Sequence, residues 1–270
     1  MSYCDDFIIS DAQKELIARV HRADTLGEFI FDVHGHTNDG WSLASVFDGT
    51  SEGLHWEMEQ LGVSGLAVSA ICAISGVDFE WANNALMADI QKQGNKIHAY
   101  VGIDIMHGKT LVADVENYLN NGFKGGKIYT RWGIPYNDPA YYDVFELLNA
   151  RKLPCLAHCW GEPNVSNLAK AAVMFPDINF IAAHTGSADL DVYLDKAARH
   201  DNFYIDTAIS GGPRGLIEKV VSRIGSEKLC FGSDAALFSM AQQVSRVIAA
   251  RISDDDRRNI LGLNAKNLFY

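Results

Sequence analysis

From residue 28 onward the chain alternates short β-rich apolar runs with longer stretches of helical period, and no other feature limits its fold so tightly. Strands are expected near 29–34, 65–71, 98–103, 125–129, 154–158, 178–183, 203–207 and 229–232. Between them apolar residues recur three and four apart. Ala82, Leu86 and Ile90 form one such set; Tyr141, Val144, Phe145 and Leu148 a second; Leu190, Tyr193, Leu194 and Ala197 a third. Side chains so spaced share one helix face, which must be buried against another layer. Strand–helix alternation calls for a parallel sheet with helical crossovers. Eight such units fit a closed (β/α)8 TIM barrel better than an open doubly wound sheet. No Gly-x-Gly-x-x-Gly follows the first strand, which argues against a dinucleotide site. Two segments stand outside the repeat: an N-terminal helix starting near Ser10, with Ser10 and Gln13 as a capping box, and a closing C-terminal helix from about Asp254 to Phe269. No linker or shift of composition divides residues 1–270, so one α/β barrel domain is expected.

Composition excludes several classes of function. With 48% hydrophobic and 21% charged residues, the 270-residue chain has ample material for a core. A formal charge of −11, without a basic block, argues against a nucleic-acid surface, because phosphate contacts need clustered Lys and Arg. No apolar run approaches the ~20 residues of a membrane helix. Met1 to Asp11 lacks the apolar stretch of a secretory leader, so a cytoplasmic location is expected. Cys4, Cys72, Cys155, Cys159 and Cys230 form no regular framework and read as buried, reduced thiols.

Parallel barrels carry their chemistry at the C-terminal ends of the strands. His34 and His36 end the first strand, and side chains two apart on a strand share a face, so both imidazoles can reach one point. Such a pair suits zinc and related divalent ions. His158 ends the fifth strand, His184 the sixth and Asp234 the eighth. A lone histidine after an apolar run is more often hydrogen-bonded scaffold than ligand; five polar residues at one mouth are hard to read that way. Arg131 and Arg214 fall on loops after the fourth and seventh strands, where a planar guanidinium can pair with a substrate carboxylate or serve a loop ion pair. Trp41, Trp132 and Trp160 follow strands one, four and five and can wall a pocket or cover loop cores. His107 reads as part of an ordinary turn.

In chain order, Asp32-x-His34-x-His36, Gly122-Phe123-Lys124-Gly125-Gly126-Lys127, His158, Ala183-His184-Thr185-Gly186, Phe231-Gly232-Ser233-Asp234 and the closing Asn264-Ala265-Lys266-Asn267-Leu268-Phe269 resemble the amidohydrolase superfamily. The likeness is strongest to its amidohydrolase-related branch of metal-dependent lactonases and non-oxidative decarboxylases. It implies a divalent metal, zinc first and manganese second, held by His34, His36 and His158, with Asp234 as a further ligand or as the base for a metal-bound water. It implies a catalytic role for His184. Lys127 falls near the place where two-metal members carry a carboxylated lysine, so it is the candidate ligand for a second metal, although one metal is favoured.

The chemistry that follows is a hydrolase opening a lactone, amide or ester of a small, anionic substrate, with Arg131, Arg214 and Trp160 as substrate contacts. The alternative is non-oxidative decarboxylation of an aromatic or enol acid at the same metal. A catalytically inactive binding protein is disfavoured, because such a barrel would have lost ligands. The partner is a small molecule, with no nucleic acid and no membrane; homo-oligomerisation is left open.

Overall fold

The computed structural model describes residues 8–22, 24–37, 48–93, 96–130, 133–209 and 211–270. Its eight strands lie in sequence order in one sheet. They are β1 (Phe31–Thr37), β2 (Gly65–Ala70), β3 (Ile97–Ile103), β4 (Gly125–Ile128), β5 (Cys155–Ala157), β6 (Phe180–Ala182), β7 (Phe203–Asp206) and β8 (Leu229–Cys230). Every adjacent pair is parallel. The segment after β8 returns to β1: Val33 N donates to Phe231 O (2.9 Å), Asp234 N donates to His34 O (2.7 Å), and Gly35 bridges Ala235. The sheet thus curls into the expected (β/α)8 barrel.

Period-two alternation sorts the strand residues into two layers. Phe31, Val33, Ala67, Tyr100, Leu156, Ile181, Ala183 and Cys230 fill the interior. Their neighbours Leu66, Val68, Ala99, Val101, Phe180 and Ala182 meet the helices. The predicted helix faces are the buried ones, including Ala82 and Leu86, Val144, Phe145 and Leu148, and Tyr193, Leu194 and Ala197. Phe269, stacked on Phe31 with centroids 4.8 Å apart, closes the floor together with Ala265 and Leu268. Among the described residues no helix is long and apolar enough to cross a membrane.

β1 begins later and runs further than its apolar residues suggest, so His34 and His36 lie within it. Its register slips between Asp32 and Gly35. Below the slip Phe31 and Val33 point inward. Above it Gly35 backs onto the outer layer, where an added Cβ would lie 2.9 Å from Leu66 Cδ1, so the flanking histidines turn inward. One extra residue has changed which parity faces the barrel axis. Three bonds hold the slip. The Tyr100 hydroxyl donates to Val33 O (3.1 Å), and Asp32 Oδ1 accepts from His34 N (2.9 Å) and Ser233 N (3.0 Å).

The terminal helices carry two further differences. Ser10 Oγ accepts from Gln13 N (3.0 Å), capping the helix Asp11–Arg22, but Gln13 does not return the bond. Its amide is buried against the helix Met240–Ala249 and donates to Ile248 O and Ala250 O, 2.9 Å each, at the end of that helix. The closing helix spans Asp254 to Phe269, but its middle, Asn259–Leu263, is a π turn. Gly262 in that turn presses on Phe29, where a Cβ would stand 2.6 Å from the carbonyl oxygen.

Candidate active site

At the mouth, His34 Nε2 and His36 Nε2 face each other 3.2 Å apart. Asp234 Oδ1 stands 3.2 Å from the second and 3.4 Å from the first. All three side chains are buried. Their hydrogen-bond partners decide where the ring protons sit. His34 Nδ1 lies 2.8 Å from the Asp206 carboxylate, so Nδ1 carries the proton and Nε2 the lone pair. His36 Nδ1 faces Ser69 O (3.3 Å) and Ser69 Oγ (3.0 Å), and a carbonyl can only accept, so His36 has the same tautomer. Two lone pairs and a carboxylate oxygen therefore converge with no ring proton between them, the His34 lone pair also accepting from Lys127 Nζ at 2.9 Å. Asp234 Oδ1 is buried without a hydrogen-bond partner. Donor atoms about 2.0–2.2 Å from one ion in a tetrahedron stand about 3.3–3.6 Å apart. One observed edge, 3.4 Å, lies in that range and the other two, 3.2 Å each, lie just below it, and the donor set of two imidazoles and a carboxylate suits a divalent metal.

Charge around this triangle is balanced by proximity. Lys127, buried on β4, brings Nζ to 2.9 Å from His34 Nε2. Burial lowers its pKa to about 8 although Asp234 and Asp206 pull the other way. Burial first, then Lys127 and the other rings, holds His34 well below the ordinary histidine value; His36 is lowered chiefly by burial. For Asp234 burial acts to raise the pKa, but His36, His184 and Lys127 together hold it below the usual carboxylate value.

The second half of the mouth is built on β5 and β6. His184 Nδ1 donates to Ala208 O (2.8 Å), and burial lowers its pKa to about 4, so the ring is neutral and Nε2 accepts from His158 Nδ1 (3.0 Å). His158 then keeps its lone pair on Nε2. It stands outside the His34–His36–Asp234 group, packed at 4.5 Å against Tyr129 and lying parallel (11°) to the Trp160 ring. Trp160 is about half exposed, 5.7 Å from His184, and forms one wall of the mouth. His184 and Asp234 have φ of 64° and 61°. That left-handed turn, costing roughly 1–2 kcal/mol for a side chain with a Cβ, swings each off its strand end and over the axis. Turn bonds from Ser187 N to His184 O (3.0 Å) and from Leu237 N to Asp234 O (2.9 Å) hold it.

Sequence reasoning missed Asp206. It ends the apolar run Phe203-Tyr204-Ile205, so the strand-end rule applied to β7 would have found it. Its fully buried carboxylate accepts from His34 Nδ1 through Oδ2, and from His184 N (2.8 Å) and Ala208 N (3.1 Å) through Oδ1. Burial raises its pKa, and the His184 and Ala208 amides together with the nearby Lys127 act against that rise to keep the carboxylate charged. Arg214 is exposed on the loop after β7, and Arg131, Trp132 and Trp41 lie outside the described residues. His107 pairs with Asp114 (3.0 Å) and Glu80 (3.8 Å) apart from this site.

No protein of curated function matches the sequence. Solved structures do match in fold. A 2,6-dihydroxybenzoate decarboxylase from Rhizobium aligns with a TM-score of 0.70 at 16% identity, over 90% of this chain and 98% of that one. A probable 2-pyrone-4,6-dicarboxylic acid hydrolase from Acinetobacter baumannii aligns at 0.68 and 14%, over 89% and 98%. A 5-carboxyvanillate decarboxylase from Novosphingobium aromaticivorans, complexed with manganese and a nitrobenzoic acid, aligns at 0.63 and 14%, over 80% and 79%. In sequence, the family described as amidohydrolase matches residues 78–270, a span that holds Lys127, His158, His184, Asp206 and Asp234. The chain belongs to the amidohydrolase family.

Proposed function

We propose that this chain is a metal-dependent hydrolase that attacks the carbonyl of a lactone, amide or ester in a small, anionic substrate. The observation that carries the reading is the triangle of His34 Nε2, His36 Nε2 and Asp234 Oδ1, converging without a ring proton among them. His34, His36 and Asp234 would hold one divalent ion, zinc before manganese, with His158 the candidate fourth ligand. The ion supplies Lewis acidity and makes a water nucleophilic near neutral pH. Asp234, kept ionised by its neighbours, takes the proton of the attacking water and returns it to the leaving group. Lys127 Nζ, fixed beside His34, offers a positive charge to oxygen that gains negative charge during attack. Trp160 and Tyr129 would hold a flat substrate at the mouth, and Arg214, exposed on the loop after β7, and Arg131 are the candidate partners for its anionic group.

In the hydrolytic reading His184, with its Nδ1 proton given to Ala208 O, acts through Nε2 as an acceptor rather than as an acid. Decarboxylation of an aromatic acid is the second reading, favoured by the aromatic wall of Tyr129 and Trp160 around His158. The test begins with elemental analysis of protein purified without chelator, where about one equivalent of metal is expected. Lactone and ester panels are then run beside hydroxybenzoates. Turnover of the first panel, abolished by chelator and restored by zinc or manganese, supports the proposal; carbon dioxide release from the second panel alone overturns it in favour of the lyase.

A further inference from the structure

We infer that Asp206 is a positioning residue that keeps His34 in the one tautomer able to bind metal, and through the same carboxylate sets the orientation of His184. The inference rests on the metal reading above. Its geometry is closed on every side. Asp206 Oδ1 accepts two backbone N–H groups, from His184 at 2.8 Å and Ala208 at 3.1 Å, while Oδ2 accepts His34 Nδ1–H at 2.8 Å. Ala208 in turn offers its carbonyl to His184 Nδ1–H at 2.8 Å, so that His184 Nε2 can only accept, and His158 Nδ1 donates to it at 3.0 Å. One fully buried carboxylate therefore specifies the protons of His34 directly, and those of His184 and His158 in sequence. Outer partners of this kind orient a ligating imidazole and raise its basicity.

The decisive perturbation is Asp206→Asn. The two backbone N–H groups on Oδ1 demand an acceptor, so the amide oxygen must take that place and the NH2 group must face His34 Nδ1. His34 then avoids a donor–donor clash at Nδ1 by carrying its proton on Nε2, the atom that points into the triangle, and Lys127 Nζ gives up its donation there. Metal binding must expel that proton or rotate the ring. The expected loss is about 10- to 100-fold in metal affinity, the range seen when outer-shell partners are removed.

Metal-free wild type and Asp206→Asn are to be titrated with Zn2+ against a chromophoric chelator. The ring tautomer of His34 is read from 15N-histidine spectra, its signal assigned by loss in His34→Gln. The inference predicts an Nδ1–H ring in the wild type, an Nε2–H ring in Asp206→Asn, and the stated loss of affinity at an unchanged unfolding midpoint. Equal affinities with an unchanged tautomer overturn it while leaving the metal reading intact. A wild type that binds no zinc or manganese overturns the metal reading and the inference with it. If Asp206→Asn does not fold, the wild-type spectrum decides: an Nε2–H ring at His34 refutes the proposed role.

Discussion

Tyr100→Phe removes one oxygen from the middle of the barrel and leaves its shape otherwise unchanged. The ring is fully buried in the interior cluster, and its hydroxyl donates to Val33 O at 3.1 Å. That carbonyl sits at the register slip of β1, immediately before His34. Loss of the donor leaves a buried acceptor without its partner, a cost of about 1–2 kcal/mol beyond the nearly neutral change of ring. At about 2–4 °C per kcal/mol for a chain somewhat smaller than this one, the expected fall in Tm is about 2–8 °C. Urea unfolding of chelator-treated protein should show a lower midpoint at constant slope, since the surface exposed is the same. Because the bond holds the slip that turns His34 and His36 inward, zinc affinity should fall as well. A midpoint and an affinity both equal to wild type would refute the reasoning, by showing that the slip keeps its geometry without Tyr100.

Two further outcomes follow from the packing and the electrostatics. Burial lowers His184 from 6.5 to about 4, so the folded state binds fewer protons than the unfolded chain below pH 6.5 and loses stability as pH falls toward 4. Asp32, raised by burial to about 7, and Asp206, also raised by burial, act in the opposite sense, so the effect is read as a difference. Relative to His184→Gln, metal-free wild type should lose about 3 kcal/mol across that window in paired urea titrations; parallel curves would count against a neutral, buried ring. Gly65→Ala places a Cβ 2.6 Å from the Phe31 ring, which is itself stacked on Phe269, so the floor of the barrel must shift. Overpacking of this kind costs about 1–3 kcal/mol, and a Tm equal to wild type would show that the floor yields freely.

Much of this protein was legible in its sequence, because local periodicity reports which side of an element is buried. Alternating runs gave eight strands and their order; the helix faces at Val144, Phe145 and Leu148 followed from spacing alone. The strand-end rule gathered His34, His36, His184 and Asp234 at one mouth, since a parallel barrel points every strand the same way. What the sequence did not contain was any relation across the barrel. His34 and Asp206 are 172 residues apart, and only closure of β8 onto β1 through Asp32, Ser233 and Asp234 sets the distances between opposite walls. The slip in β1 is invisible locally because Asp32-Val33-His34-Gly35-His36 alternates as well as any strand, and it took Leu66 and Val68 on the neighbouring strand to select the parity that faces inward. Gln13 left its expected cap for the same reason, drawn to carbonyls of a helix more than 230 residues away. Pattern within an element determined what is buried; the proton on each imidazole, and with it the capacity to hold a metal, was decided by partners that only the closed barrel brings within 3 Å.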